Sequence, residues 1–276
     1  MSGEVTGDGR GLDAAGLLAV WEAGVATGGV GRALLLHAAA RPAFGTDELL
    51  ATPVGRRDAD LFALRAALFG DLMDVRVTCE ECEQEMEFGF SAAQAIAAGP
   101  PADRPPAGGS LAGGSPTAES LSAASLTVEE GGWTVRFRLP TTGDLADAEE
   151  AGAPERARRE LLRRCVLAAE LDGAPVAADR LPGPLPEDVQ RRIAEAAAQA
   201  DPCADIRLAV ACPECGHRAT AELDIAAYLW TELDAWARTT LLDVHLLASA
   251  YGWSEVDILA LSPLRRRYYL ELCADA

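Results

Sequence analysis

The sequence has no lysine, and all 24 of its basic residues are arginine. This absence excludes every mechanism that needs a lysine side chain. Examples are the Walker A lysine that contacts nucleotide phosphates, the phosphate-pairing lysine of protein kinases, and a lysine Schiff base. We therefore expect no enzyme of these three classes.

Histidine is also scarce, with three residues in a chain of 276. His37 and His245 lie in segments with helical apolar patterns. Neither has a serine, cysteine or carboxylate at a spacing known from a catalytic motif. Histidines in such segments are usually core or surface residues. The sequence therefore predicts a protein that is not an enzyme and has no small-molecule substrate.

Positive charge is in short supply, because 43 acidic residues oppose 24 arginines and give a formal net charge of −19. Such a surface repels nucleic-acid phosphates and anionic lipid headgroups. The most apolar run, residues 33–40, is far shorter than the roughly 20 residues of a membrane-spanning helix. The N-terminus shows no secretory signal pattern. We therefore expect a cytoplasmic protein with no nucleic-acid partner and no membrane insertion.

Aromatic residues make up only 5% of the chain, although 49% of its residues are hydrophobic and many of these are alanine. This composition favours helices packed on helices. Helical patterns cover much of the sequence, including about 154–171 and 186–200, and the acidic pair at 149–150 is expected in a loop. Alternating apolar residues around Gly131-Gly132 predict a short central hairpin. We therefore predict an α+β fold with a mainly helical body.

The chain divides into four segments, which we expect to form one composite domain. Residues 1–98 contain N-terminal helices and a first cysteine pair. Residues 99–124 are rich in Pro, Gly and Ser, which predicts a flexible insertion. Residues 125–224 contain the hairpin, further helices and a second cysteine pair, and residues 225–276 are C-terminal helices.

Four of the seven cysteines form two CxxC motifs between predicted strands, Cys79-Glu-Glu-Cys82 and Cys212-Pro-Glu-Cys215. A CxxC on a tight turn presents two thiolates to one metal ion, and structural zinc takes four ligands. We therefore predict one structural Zn²⁺ held by all four thiolates. The fold would then contain a split four-cysteine zinc ribbon, with one knuckle on each of two β-hairpins. Two separate dithiol or disulfide pairs are the alternative.

The two motifs are unusually far apart, with 129 residues between Cys82 and Cys212. Loop-closure entropy grows only logarithmically with loop length, so the separation costs about 2 kcal/mol more than a usual ribbon. Structural zinc contributes on the order of 10–16 kcal/mol in small peptides and outweighs that cost. Gly216 follows the second motif and favours the left-handed backbone of a knuckle, whereas Glu83 makes the first motif the poorer copy. The other cysteines have no metal-ligand spacing: Cys165, Cys203 and Cys273.

One basic run stands out near the C-terminus, where Arg265, Arg266, Arg267 and Tyr268 begin the last predicted helix. A solvated helix face is the ordinary interpretation of such a run. The functional interpretation is a docking surface for an acidic or aromatic partner. Trp253 precedes a predicted capping box and completes this candidate partner surface.

The segment from Asp243 to Leu270 contains a histidine-bearing helix, a Tyr-Gly-Trp-Ser-Glu turn at residues 251–255 and a final Arg-Tyr helix. This ending resembles that of the T-even phage baseplate-hub family, including relatives in the clusters of phage-tail-like contractile injection systems. The helix-then-CxxC segment from Asp58 to Cys82 resembles bacterial members of such clusters. The resemblance is specific over roughly the last 35 residues and looser elsewhere. The insertion and the missing glycine after Cys82 depart from the family pattern.

The resemblance implies a non-enzymatic structural or assembly component of a contractile-tail baseplate. Its partners would be other tail or baseplate proteins, and it would be incorporated in a phage-tail-like particle. Two other hypotheses remain open. A zinc-ribbon regulatory or adaptor protein unrelated to phage tails would need a basic face if it bound nucleic acid. A zinc hydrolase would need an open coordination position on the metal.

Overall fold

The computed structural model describes residues 13–91, 93, 125–177, 183 and 185–274. The predicted insertion at 99–124 lies outside the described residues. The chain forms two compact units: a central unit of residues 40–226, and a terminal unit of residues 1–39 with 227–276. Helices with small antiparallel sheets confirm the α+β prediction. The division into four segments of one composite domain stays a prediction.

The helices and strands of the described residues follow in chain order. The first half contains α1 (Ala14–Val25), α2 (Gly29–Ala40), α3 (Thr46–Ala51), α4 (Val54–Phe69), β1 (Leu72–Thr78), β2 (Glu85–Ser91), β3 (Leu126–Glu130) and β4 (Trp133–Phe137). The second half contains α5 (Thr142–Glu150), α6 (Pro154–Cys165), β5 (Val166–Leu171), β6 (Ala174–Pro175), α7 (Glu187–Ala200), β7 (Ile206–Ala211), β8 (Arg218–Leu223), α8 (Ile225–Tyr251), α9 (Glu255–Leu259) and α10 (Pro263–Ala274).

The described part of the terminal unit is helical, and α1 packs against α8. Gly24 lies so close to the Trp230 ring that an added Cβ would be 2.4 Å from it. The Arg32 guanidinium sits 4.7 Å from the centre of the same ring, in cation–π geometry. Trp21 Nε1 donates to Asp234 Oδ1 at 2.8 Å. Because Gly24 has no side chain, the Trp230 ring of α8 can pack directly against α1.

The central unit contains a four-stranded antiparallel sheet in the order β3-β4-β5-β6. The predicted hairpin is its β3–β4 pair, in register from Leu126↔Phe137 to Glu130↔Trp133. One face of this sheet packs against α7 through buried apolar residues, since alternate strand residues point to the same side. This core contains Val128, Trp133, Val135, Phe137, Ala169, Leu185, Val189 and Ile193.

The helix predicted over 154–171 is wrong in its second half. It ends at Cys165, and residues 166–171 form β5, which pairs with β4 through contacts such as Val135↔Ala169. A hairpin turn follows, with positive φ at Asp172 (50°) and Gly173 (79°). Asp-Gly is a strong hairpin signal, and the pairing with β4 outweighs the local helical pattern.

Helix α5 was not predicted, and Glu149 and Glu150 end it rather than lying in a loop. Its start is a capping box, in which the Thr141 hydroxyl accepts from Asp144 N and the Asp144 carboxylate accepts from Thr141 N. Helix α4 begins at Val54, directly after Pro53. The turn before α4 is hydrogen-bonded to the first residue of α5, because Thr142 N donates to Thr52 O at 3.0 Å.

Candidate metal centre

Two separate antiparallel hairpins carry the two CxxC motifs. Strands β1 and β2 pair from Leu72↔Ser91 to Thr78↔Glu85, and Cys79 directly follows β1. Strands β7 and β8 pair from Ile206↔Leu223 to Ala211↔Arg218, and Cys212 directly follows β7. Each strand pair therefore delivers its first cysteine at the same point, where the ladder ends and the turn begins.

The backbone of the two turns is the same. Cys79 N donates to Gln84 O at 2.9 Å, and Cys212 N donates to His217 O at 2.8 Å. The residue after each second cysteine has positive φ, 57° at Glu83 and 74° at Gly216. Its N–H donates back to the carbonyl of the first cysteine at 2.9 Å in both turns. The first motif therefore adopts the knuckle turn despite lacking the favoured glycine.

The four cysteine sulfurs converge although the motifs are far apart in sequence. Cys79 Sγ lies 3.7 Å from Cys215 Sγ, and Cys82 Sγ lies 3.6 Å from Cys212 Sγ. All four sulfurs lie within 4.8 Å of one another. A tetrahedral ion with Zn–S bonds of about 2.3 Å requires sulfurs about 3.8 Å apart. The cluster therefore has the donor set and nearly the dimensions of a four-thiolate metal site.

The cysteine cluster is partly buried. Cys79 and Cys212 are buried, whereas Cys82 and Cys215 are exposed. Met86, Val77 and Val210 from the strands pack against the buried pair. All seven cysteines of the chain are free thiols, so the alternative of disulfide pairs is not what the structure contains.

Backbone amides make the buried pair the more acidic one. The N–H of Cys215 is the main cause that lowers the pKa of Cys212 to about 7, with burial opposing it. The N–H of Cys82 is the main cause that lowers the pKa of Cys79. Gln84 N–H lowers the pKa of Cys82, but contacts with the other thiols outweigh it and raise that pKa to about 12. A metal cation would have to displace that proton, since only thiolates ligate.

The predicted partner surface is only partly exposed. Arg266 is buried and ion-pairs with Asp243 at 3.8 Å. Trp253 is half-buried and stacks on Tyr251, with ring centroids 4.7 Å apart. Arg267 is exposed and pairs with Glu271 on its own helix.

Arg265 and Tyr268 do face solvent, and Leu264 and Leu272 on α10 are also exposed, by 65% and 60%. With Tyr268, these two leucines recur every four residues and form one stripe. Sequence reasoning missed the stripe, although its spacing could have revealed it.

The remaining candidates are not members of the cysteine cluster. His37 is fully buried in α2, and His245 is exposed on α8. Cys165 is buried, which raises its pKa to about 11. Cys203 and Cys273 are partly exposed.

Residues 44–227 match the family described as T4 bacteriophage base plate protein. The chain belongs to this family. The matched residues nearly coincide with the central unit and include all four clustered cysteines. The C-terminal segment that carried the more specific resemblance lies outside them. Comparison with curated proteins and with solved structures gave no match.

Membership in the base plate family indicates a structural component that contacts other phage tail proteins, and it suggests a non-enzymatic role. None of the helices within the described ranges is both long and apolar enough to cross a membrane.

Proposed function

We propose that this protein is a non-enzymatic structural or assembly component of the baseplate of a phage-tail-like contractile injection system. The observation that carries the proposal is the base plate family match over the residues that bear the four-cysteine cluster. The contractile injection system is the setting favoured by the resemblance of the C-terminal segment and of the helix before Cys79.

Zinc is the metal that fits the cluster best. Four thiolates in tetrahedral spacing favour zinc or iron–sulfur chemistry over magnesium and calcium, which prefer oxygen ligands. Two CxxC knuckles on hairpin turns are typical of structural zinc. Four thiolates also fill the coordination sphere, so the proposed ion has no open position for a substrate. Its role would be to hold the fold.

The ion would act as a cross-link inside the central unit. It would tie the turn at 79–82 to the turn at 212–215, across the 129 residues between Cys82 and Cys212. The β1–β2 and β7–β8 hairpins form separate two-stranded sheets. A two-stranded hairpin is marginal alone, so a shared ion would supply the stability that such a small sheet lacks.

The C-terminal helix is the proposed contact surface for other baseplate proteins. Arg265, Arg267 and Tyr268 present two cations and an aromatic ring to solvent. Trp253 and the buried Arg266 would support that surface from behind. Apolar side chains in an exposed stripe are the usual centre of a protein interface, with charged residues at its rim.

The experiment is complementation of a gene deletion in the natural host. Wild type and a Cys79→Ser/Cys212→Ser variant are expressed in the deletion strain, and sheathed particles are counted by electron microscopy. The proposal predicts that wild type restores particles and that the variant does not. Normal particles in the deletion strain would contradict the proposed baseplate role.

A second pair of variants tests the contact surface. Arg265→Glu/Tyr268→Ala should lower particle yield, whereas Arg238→Glu, on the exposed side of α8, should not. Equal yields from both variants at equal protein levels would contradict the assignment of the surface to α10.

A further inference from the structure

A groove of about 810 Å³ lies between α6 and α7 in the central unit, and the four clustered cysteines are not among the residues that line it. Its walls are mostly apolar, with Leu161 and Leu162 from α6 and Ile193 from α7. Phe137 of the sheet also lines it. Three alanines, Ala157, Ala194 and Ala197, line the same groove. Small side chains on both walls leave room for the backbone of another element to approach closely.

Arginines rim this groove. Arg158 and Arg191 line it and are both exposed. Arg158 and Arg159 also line an adjoining cavity of about 180 Å³ that shares Leu162 and Glu187 with the groove. The charged side chains lining the groove are Arg138, which is paired with Asp144, and Arg158 and Arg191 against Glu187. Its lining is therefore positive.

Within the described residues the rim arginines have no acidic partner, although the chain has 43 carboxylate residues. Arg158 and Arg191 make no ion pair or side-chain hydrogen bond with any part of the chain that the structure describes. The same holds for Arg156 and Arg159, the next arginines on α6. Helix α6 holds five arginines in 12 residues, so this local excess of positive charge opposes the net charge of −19.

We propose that this groove binds an acidic amphipathic helix of a partner protein. Apolar walls are complementary to apolar side chains. The rim arginines, which have no ion-pair partner among the described residues, are complementary to carboxylates. The groove lies between helices, whose backbone groups bond within the helix, so no strand edge is offered for β-augmentation. A helix with apolar residues at i, i+3 or i+4, and i+7 and with glutamates flanking them matches both requirements.

Charge also argues against other occupants. A nucleic acid would meet the overall negative field of the chain and would leave the apolar walls without a partner. The exposed α10 stripe of a second copy carries Arg265 and Arg267 at its border, so like charges would meet at the rim. The proposal stands on α6 and α7 alone and depends on neither zinc nor the contractile injection system.

The probe is a designed helical peptide of about 20 residues, long enough to be helical in water. It has leucines at the heptad a and d positions and glutamates beside them. A matched peptide has lysine in place of each glutamate. Fluorescence anisotropy with the full chain should give saturable binding of the glutamate peptide, weakened at high salt, and binding at least about tenfold weaker for the lysine peptide.

Two variants locate the binding. Arg158→Glu/Arg191→Glu should weaken glutamate-peptide binding by roughly tenfold or more, whereas Arg136→Glu/Arg218→Glu, on exposed strand positions of the same unit, should not. Ala194→Trp fills the groove and should block binding, whereas Gln199→Trp, exposed on α7 outside the groove, should not. Circular dichroism and thermal unfolding check that each variant is folded.

Several results would overturn the proposal. They are no binding of the glutamate peptide, equal binding of the two peptides, and binding unchanged by Arg158→Glu/Arg191→Glu or by Ala194→Trp. Concentration-dependent dimerisation of the chain that Ala194→Trp abolishes would assign the groove to a second copy instead and would also overturn it.

Discussion

Residue 83 and residue 216 occupy the same place in the two cysteine turns, and both need positive φ. A glutamate in left-handed backbone costs about 1 kcal/mol, which glycine avoids. The first turn therefore holds a small strain that the second does not. That an unfavourable residue adopts this geometry shows how strongly the surrounding hydrogen bonds specify the knuckle turn.

This strain leads to a reciprocal prediction. Glu83→Gly should raise the free energy of unfolding by about 0.5–1 kcal/mol, and Gly216→Glu should lower it by a similar amount. Urea unfolding of the metal-loaded protein measures both. A destabilising Glu83→Gly would mean that the glutamate side chain makes a contact worth more than the backbone strain.

Asp58 is a buried carboxylic acid whose ionisation should affect stability near neutral pH. Burial is the main cause that raises its pKa to about 6; Arg57 opposes the shift, and the carboxylates of Asp224 and Asp201 add to it. The folded pKa lies above the unfolded value of about 3.9. The neutral form of Asp58 therefore makes its full contribution to the free energy of unfolding below about pH 4. That contribution is lost as the pH rises through about 6 and the buried carboxyl ionises.

The corresponding test compares wild type with Asp58→Asn, which cannot ionise. Between about pH 4 and pH 7 the wild type should lose about 2 kcal/mol of unfolding free energy relative to the variant. Guanidinium unfolding at a series of pH values gives the difference. Parallel pH profiles for the two proteins would show that Asp58 keeps an ordinary pKa in the fold.

Among the elements, α5 and α6 are joined by a shared carboxylate. Asp144 is 1% exposed and accepts from Arg138 Nη2 at 2.9 Å and from Arg164 Nε at 2.8 Å. Burial alone would raise the pKa of Asp144, but the hydrogen bonds from Arg138, Arg164 and Thr141 lower it well below its usual range. This carboxylate therefore stays charged and fixes the start of α5 against the end of α6.

Asp144→Asn should destabilise the protein by roughly 3 kcal/mol, because it breaks a buried ion-pair network and weakens a helix cap. Asp147→Asn is the matched control, since Asp147 is 45% exposed and also pairs with Arg164. It should cost less than about 1 kcal/mol. Equal effects of the two substitutions, measured by thermal unfolding, would contradict a structural role specific to the buried carboxylate.

The elements also show what sequence reasoning could reach. The β3–β4 hairpin and the strands beside both CxxC motifs were predictable, because turn glycines and alternation are local signals. Helix α5 was missed although Thr141 and Asp144 form a capping box. Strand β5 was missed because its state is decided by pairing with β4, about 30 residues earlier, which no local pattern records. The Asp172-Gly173 turn was the available clue.

At the scale of the whole molecule, the sequence predicted which cysteines belong together, since only two motifs had the spacing of metal ligands. It did not predict the groove between α6 and α7. The arginines of α6 are visible in sequence, but which of them find a partner depends on the carboxylates that the fold brings near them: Arg164 pairs with Asp144, whereas Arg158 pairs with no described residue. Nor did it predict that Arg266, within a basic run, would be buried against Asp243.

If zinc cross-links the two cysteine turns of the central unit, its removal should lower the thermal stability of that unit. We expect a strong chelator to lower the melting temperature by more than about 10 °C, since each kcal/mol is worth about 2–4 °C in a protein of this size. Differential scanning calorimetry with and without added zinc measures the shift. An unchanged melting temperature after the chelated protein is shown to be metal-free would mean that packing alone holds the hairpins.

Native mass spectrometry of the chain and of its Cys79→Ser, Cys212→Ser and Cys203→Ser variants tests the shared four-thiolate zinc site directly. We expect one zinc ion per chain in wild type and in Cys203→Ser, because Cys203 lies outside the cluster. We expect loss or clear weakening of zinc binding in both Cys79→Ser and Cys212→Ser. A wild-type chain that binds no zinc, or full zinc occupancy in either of those two variants, would contradict the shared four-thiolate site.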